Sequence, residues 1–236
     1  MMGSMAAFTL NDTMTKTTGG EVPLFQLLFL RGLISISLLL ILWGRLGPMH
    51  LRLSRRDWKL VGIRSASEVG ASYFFVTALF NMPLANLSAI LQSLPLTVTL
   101  GAALFYREAV GWKRMSAILV GFMGVMLIVK PGTEGFNIWS VYALVAVLFV
   151  TVRDLSTRRL SGDVPSMTVT LAAVLSVTVF SGVAQLATPW APVSGTHWTA
   201  IAAAAVFVLM GYYFSVQTMR IGEISFIAPF RYTGLI

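Results

Sequence analysis

Apolar residues in this chain come in long runs rather than in the alternation of a half-buried strand. The runs cover 23–44, 60–80, 85–105, 113–130, 137–153, 166–188 and 198–218, and they are separated by short polar stretches. A helix needs about 20 mostly apolar residues to cross the hydrocarbon core of a bilayer. The pattern therefore predicts a series of transmembrane helices. Residues 1–15 (MMGSMAAFTLNDTMT) form a shorter apolar segment without a basic leader or a small-residue cleavage site, so they are read as the remainder of a first span. A further run begins at 223 and continues to 236, bringing the expectation to about nine helices.

Composition narrows the solvent. Hydrophobic residues make up 56% of the 236 and charged residues 11%, against roughly a quarter charged in an average soluble domain. That much apolar surface does not fit inside one water-soluble core, so lipid is the expected partner of the outer faces. There is no cysteine, which excludes disulfides, thiolate metal sites and a cysteine nucleophile. His50 and His197 stand far apart. Neither a metal site nor a cofactor is expected.

The net charge of +8 is placed in the loops. Arg45, Arg52, Arg55, Arg56, Lys59, Arg107, Lys113, Arg114, Arg153, Arg158, Arg159 and Arg220 fall in one set of connections, and only Lys16 and Lys130 in the other. Arg and Lys concentrate in short cytoplasmic loops. Twelve against two therefore puts the amino terminus in the cytoplasm and the chain in an inner membrane, with no nucleic-acid role. Trp43, Trp58, Trp112, Trp139, Trp190 and Trp198 lie near predicted span ends, where indoles anchor at the interface.

Shifting the chain by 142 residues lays Asn11-Asp12 and Lys16 over Arg153-Asp154 and Arg158, and Pro23 over Pro165. A shift of 139 lays Tyr73, Phe75, Ala89 and Leu96 over Tyr212, Phe214, Ala228 and Leu235. Two nearly equal shifts in chain order predict an internal repeat of five spans. An odd number of spans per copy turns the second copy over in the membrane, as in many secondary transporters with a midplane site between inverted halves. The expected architecture is an all-α polytopic membrane bundle of two inverted five-helix repeats, 1–132 and 133–236. The second copy is expected to be incomplete, lacking the end of span nine and all of span ten.

Ionisable groups at membrane depth are functional candidates. Arg31, inside span two, either binds an anionic group of a solute or orients the bundle through an ion pair. Glu68 follows Arg64 at i,i+4, on one helix face, and is either its structural partner or a protonatable coupling carboxylate. Asp12, with Asn11 beside it, is a solvated helix end or a solute contact. Arg231 is equivalent to Gln92 by the 139 shift, and the two are expected to face each other across the pseudo-axis. Tyr73 and Tyr212, equivalent by the same shift, are candidates to stack on a planar solute. Pro95 interrupts span four and frees backbone groups there.

Phe8-Thr9-Leu10-Asn11-Asp12 with Lys16, Phe29-Leu30-Arg31, Pro83-Leu84-Ala85, Tyr106-Arg107-Glu108, Gly121 and Gly124 with Lys130-Pro131-Gly132, and Pro229-Phe230-Arg231-Tyr232 follow in order along the chain. In these the sequence resembles the drug/metabolite transporter superfamily, specifically its EamA-type members. Its departures are the short first helix and the absent tenth. The resemblance implies a secondary transporter of a small organic solute by alternating access, for example a vitamin such as riboflavin or an amino-acid-like metabolite. A multidrug or metabolite efflux carrier is the alternative within transport, and a homodimer is an open assembly. A non-transporting bundle or an intramembrane enzyme are the other classes, the latter without a His-containing motif, a pair of carboxylates at i,i+3 or a Gly-rich phosphate loop to carry its chemistry.

Overall fold

A computed structural model describes residues 1–43, 51–106, 111–129, 137–221 and 230. Among the described residues there are helices and no strands: α1 (Met2–Thr17), α2 (Leu24–Ile41), α3 (Arg55–Asn81), α4 (Leu84–Leu91), α5 (Leu94–Tyr106), α6 (Trp112–Val129), α7 (Ile138–Arg158), α8 (Ser166–Gln185) and α9 (Gly195–Ile221). The molecule is an all-α membrane bundle. By length and composition, α2, the α4–α5 segment, α7, α8 and α9 each suffice to cross a bilayer. Strongly exposed apolar side chains such as Ile41, Leu104, Phe105, Leu127 and Leu148 cover its outside, as lipid-facing surfaces require.

Local sequence sets the helix ends. Ser54 caps α3: its Oγ accepts from Asp57 N at 3.0 Å and donates to Asp57 Oδ2 at 2.6 Å, satisfying an amide that the first turn leaves without a helical partner. Asn137 caps α7 by accepting from Trp139 N and Ser140 N at 3.0 and 3.2 Å. Pro23, Pro83 and Pro165 occupy the N-cap positions of α2, α4 and α8.

Span four, expected as one helix over 85–105, is two. A turn at Gln92 and Ser93, in which Gln92 keeps right-handed helical dihedrals, separates α4 from α5, and Pro95 stands in the first turn of α5. Proline has no N–H, which costs least in a first turn. Ser93 Oγ donates to Ile90 O at 2.7 Å, satisfying a carbonyl at the end of α4. Of the six tryptophans, Trp43, Trp58, Trp112, Trp190 and Trp198 are exposed near helix ends. Trp139 instead packs on Tyr142 with ring centroids 5.6 Å apart.

The main helix pairs are α3 with α7, α1 with α9, and α2 with α8, joined by α3 with α8 and α2 with α9. Exchanging α1 for α7, α2 for α8 and α3 for α9 turns this set of pairs into itself. Close approach uses small residues, as between membrane helices generally. A Cβ added to Gly211 on α9 would come within 2.7 Å of the Phe8 ring on α1, and one on Gly70 of α3 within 2.7 Å of the Phe149 ring on α7. Both crossings thus seat a phenylalanine against a glycine. Apolar clusters, among them Leu79, Leu87, Ile90 and Val147, and Leu28, Val76, Val177 and Ile201, surround a polar centre.

Candidate functional site

That centre is a cavity of about 160 Å³ lined by residues of α1, α2, α3, α4, α5, α7 and α9 and of the α4–α5 break. Among the described residues four charged side chains reach it: Asp12, Arg31, Glu68 and Arg153. Polar groups from Thr15, Ser72, Ser88 and Gln92 stand among apolar ones such as Phe8 and Phe75.

Glu68 is the hub on one side. Its Oε1 accepts from Tyr212 Oη at 2.9 Å and from Arg153 Nη1 at 3.3 Å, so one carboxylate oxygen ties α3 to α7 and α9. Arg64 Nη1 lies 3.8 Å from Oε2, while its Nε donates to Thr157 Oγ1 at 2.9 Å. Arg153 Nε is also paired with Asp154 Oδ1 at 2.9 Å. Among the described residues these two arginines and two carboxylates balance in formal charge. Taking ions out of water costs several kcal/mol each unless such pairing offsets it. Oε2 itself has no hydrogen-bond partner among the described residues.

The other side is built differently. Asn11 donates from Nδ2 to Asp12 Oδ1 at 2.9 Å and accepts from Arg31 Nη1 at 3.1 Å. A single amide therefore stands between the acid and the base. Among the described residues no cation lies within 4 Å of the Asp12 carboxylate. Thr15, on the same face three residues on, is 1% exposed, and its hydroxyl has no partner among the described residues.

The ends of the bundle are tied separately. Lys16 Nζ donates to the Met82 carbonyl at 3.0 Å and to that of Leu79, placing a cation at the carbonyl end of α3. Gln26 Nε2 donates to Ala191 O and its Oε1 accepts from Ala191 N, both at 2.8 Å, holding α2 to the α8–α9 connection. At the opposite end of α3, Asp57 Oδ1 accepts from Ser161 N and Ser161 Oγ, each at 3.0 Å. Arg220 donates to Ser161 O at 3.2 Å, Gly162 O at 2.7 Å and Ser166 Oγ at 2.9 Å. The hydrogen bonds from Ser54 and Ser161 hold the Asp57 carboxyl below the usual carboxylate range.

Of the residues singled out in the sequence, Asp12, Arg31, Glu68, Gln92 and Tyr212 line one cavity. Tyr73 does not join them. Its ring stacks on Phe25 at 6.1 Å and meets Phe74 at 5.2 Å and Tyr142 at 6.5 Å, so it packs where a solute contact was expected. Arg231, and with it the pairing with Gln92, lies outside the described residues. Arg153 requires a correction: counted among loop charges, it is buried inside α7 at 8% exposure. Lys16 is likewise part of a helix, the last turn of α1. Arg153, Asn11 and Thr15 were missed as site residues. The signal was present in the 142-residue shift, which aligned Asn11-Asp12 with Arg153-Asp154; both pairs belong to the polar centre.

Residues 1–130 match the EamA-like transporter family. The riboflavin transporter of Vibrio cholerae is 27% identical over 185 residues, 78% of this chain and 62% of that protein; the chain thus covers less than two thirds of that relative's length. The pseudopaline exporter of Pseudomonas aeruginosa is 24% identical over 100% of this chain and 83% of its own. The S-adenosylmethionine uptake transporter of Rickettsia felis is 24% identical over 99% of this chain and 78% of its own. A protein of known crystal structure superposes with a TM-score of 0.75 at 18% identity, covering 99% of this chain and 83% of the other. That likeness concerns the fold alone.

Proposed function

The chain belongs to the EamA-like transporter family, and from that premise we propose that it is a secondary carrier of a small organic metabolite across an inner membrane. Its amino terminus faces the cytoplasm. Transport proceeds by alternating access of two inverted halves, 1–132 and 133–236, about the central cavity. The observation that carries this reading is the cavity itself, in which four ionisable side chains meet at membrane depth among helices from both halves. Such groups are expensive in lipid and are placed where a solute or an ion passes. The set of helix pairs that maps onto itself supports the two-fold relation between the halves.

Asp12, Arg31, Gln92 and Tyr212 contact the solute, with Arg231 entering from the ninth span. Glu68 is the coupling group. While ionised it holds Arg153 and Tyr212, and so α7 and α9, against α3; a proton on Glu68 removes the charge that holds Arg153 and lets the helices part. The solute is a vitamin such as riboflavin or an amino-acid-like metabolite, in keeping with relatives whose names give riboflavin and S-adenosylmethionine.

The test is counterflow into liposomes holding the purified full chain, with labelled riboflavin, S-adenosylmethionine and L-leucine offered in turn. A carrier accumulates at least one of them against preloaded unlabelled solute, and Glu68→Gln abolishes its dependence on a proton gradient. Absence of counterflow for a broad metabolite panel, with the protein folded, overturns the assignment.

A further inference from the structure

The two acid and base pairs at the cavity are unequal in how much of their bonding capacity is used. On the α7 side, Arg153 meets Glu68 and Asp154 directly at 3.3 and 2.9 Å. On the α1 side, the amide of Asn11 takes one contact from Arg31 and gives one to Asp12, at 3.1 and 2.9 Å. A guanidinium carries five N–H donors and a carboxylate about four acceptor sites. Among the described residues Arg31 and Asp12 each make a single side-chain hydrogen bond, so most of this capacity is unused on residues that line the cavity. The buried Thr15 hydroxyl, also in the lining and without a partner among the described residues, adds a third uncommitted group one helical turn from Asp12.

An acid and a base held apart by a fixed amide form a receptor with two ends of opposite sign. Direct contact between them would quench both; the spacer prevents it. A solute with one charge leaves one end unanswered, whereas one carrying both charges answers each. We infer that Asp12, Asn11 and Arg31 form a subsite for a zwitterionic head group, its ammonium on Asp12 and Thr15 and its carboxylate on Arg31. The inference rests on the carrier reading for its place in transport, but the binding it states is testable without flux. The rest of the solute lies against the apolar lining of Phe8, Phe75 and Leu91.

The experiment is calorimetric titration of the full chain in lipid nanodiscs with three probes of one side chain: L-leucine, 3-methylbutylamine and 4-methylpentanoate. Hydrogen bonds to charged groups translate into at least about tenfold in affinity each, so L-leucine binds at least that much more tightly than either half. Asp12→Asn removes the advantage of the probes with an ammonium and leaves 4-methylpentanoate unchanged. Arg31→Gln does the converse. Asn11→Ala, which lets acid and base close on each other, weakens L-leucine most. Equal affinity for all three probes in the unmodified chain overturns the inference, even where a variant fails to fold. So does an Asp12→Asn effect shared by 4-methylpentanoate. Riboflavin counterflow in parallel separates the two readings: flux without zwitterion preference sinks only the subsite, and zwitterion preference without flux of any solute sinks only the carrier.

Discussion

Asn11-Asp12 on α1 and Arg153-Asp154 on α7 stand 142 residues apart and make the same local contact: in each, the first side chain donates to the acid that follows, at 2.9 Å. They differ in what reaches them from across the bundle. Arg153 brings its own cation and finds Glu68, with Tyr212 donating to the same oxygen, so that side closes on itself. Asn11 brings no charge, takes Arg31 on its carbonyl, and leaves Asp12 without a directly paired cation among the described residues. The difference between the two positions, amide for guanidinium, accompanies a closed ion-pair cluster on one side and a more sparsely bonded acid and base on the other. Polarity at membrane depth is thus not one property: one side of the cavity holds the helices, the other is left to meet something else.

The sharpest way to break the contrast is to unpair the closed side. Glu68→Gln removes the carboxylate that Arg64 and Arg153 share, and an uncompensated buried charge costs about 3–5 kcal/mol; thermal unfolding in detergent reads this as a large drop in midpoint. Tyr212→Phe keeps the ring against Phe8, 5.8 Å away, and removes one hydrogen bond to a carboxylate, for about 1.5–3 kcal/mol in the same measurement. Asp12→Asn should cost under about 1 kcal/mol, because no paired cation is orphaned, while solute binding falls. If Asp12→Asn melts the protein as Glu68→Gln does, the two sides are alike and the comparison fails.

The smallest effect lies outside the cavity. The Asp57 carboxyl is held below its usual range by Ser54 and Ser161, so its folded value lies beneath the unfolded one of about 3.9. Its contribution to stability is complete above the unfolded value and is lost as pH falls through the folded value. Melting midpoints measured from pH 6 to pH 3 should fall less steeply in Asp57→Asn than in the unmodified chain. An identical slope would mean the clasp at that end does not depend on ionised Asp57.

Much of the fold was legible because lipid imposes a coarse demand. Runs of apolar residues had to be helices, and their limits agree with the observed ends within a few residues over 23–44, 166–188 and 198–218. Misreadings occurred where a polar residue sat inside a span. Arg153 ended the predicted sixth span because a charge usually marks the membrane edge, yet α7 runs on to Arg158 since Glu68 and Asp154 receive that charge. The break at Gln92 and Ser93 was only hinted at by Pro95. Tyr73 and Tyr212 looked equivalent in sequence; helix rotation sent one into an aromatic cluster and the other to Glu68.

The sequence alone determined that this is a multi-helix membrane bundle and which residues are too polar to face lipid. Both follow from transfer energies that act residue by residue, before any contact forms. It did not determine how those polar residues divide, because pairing depends on which helix faces cross and at what depth. Only the packing of α1 on α9 and of α3 on α7, with a glycine beneath a phenylalanine at each crossing, decided that Glu68 would be surrounded by cations and Asp12 set apart from one by the width of an amide.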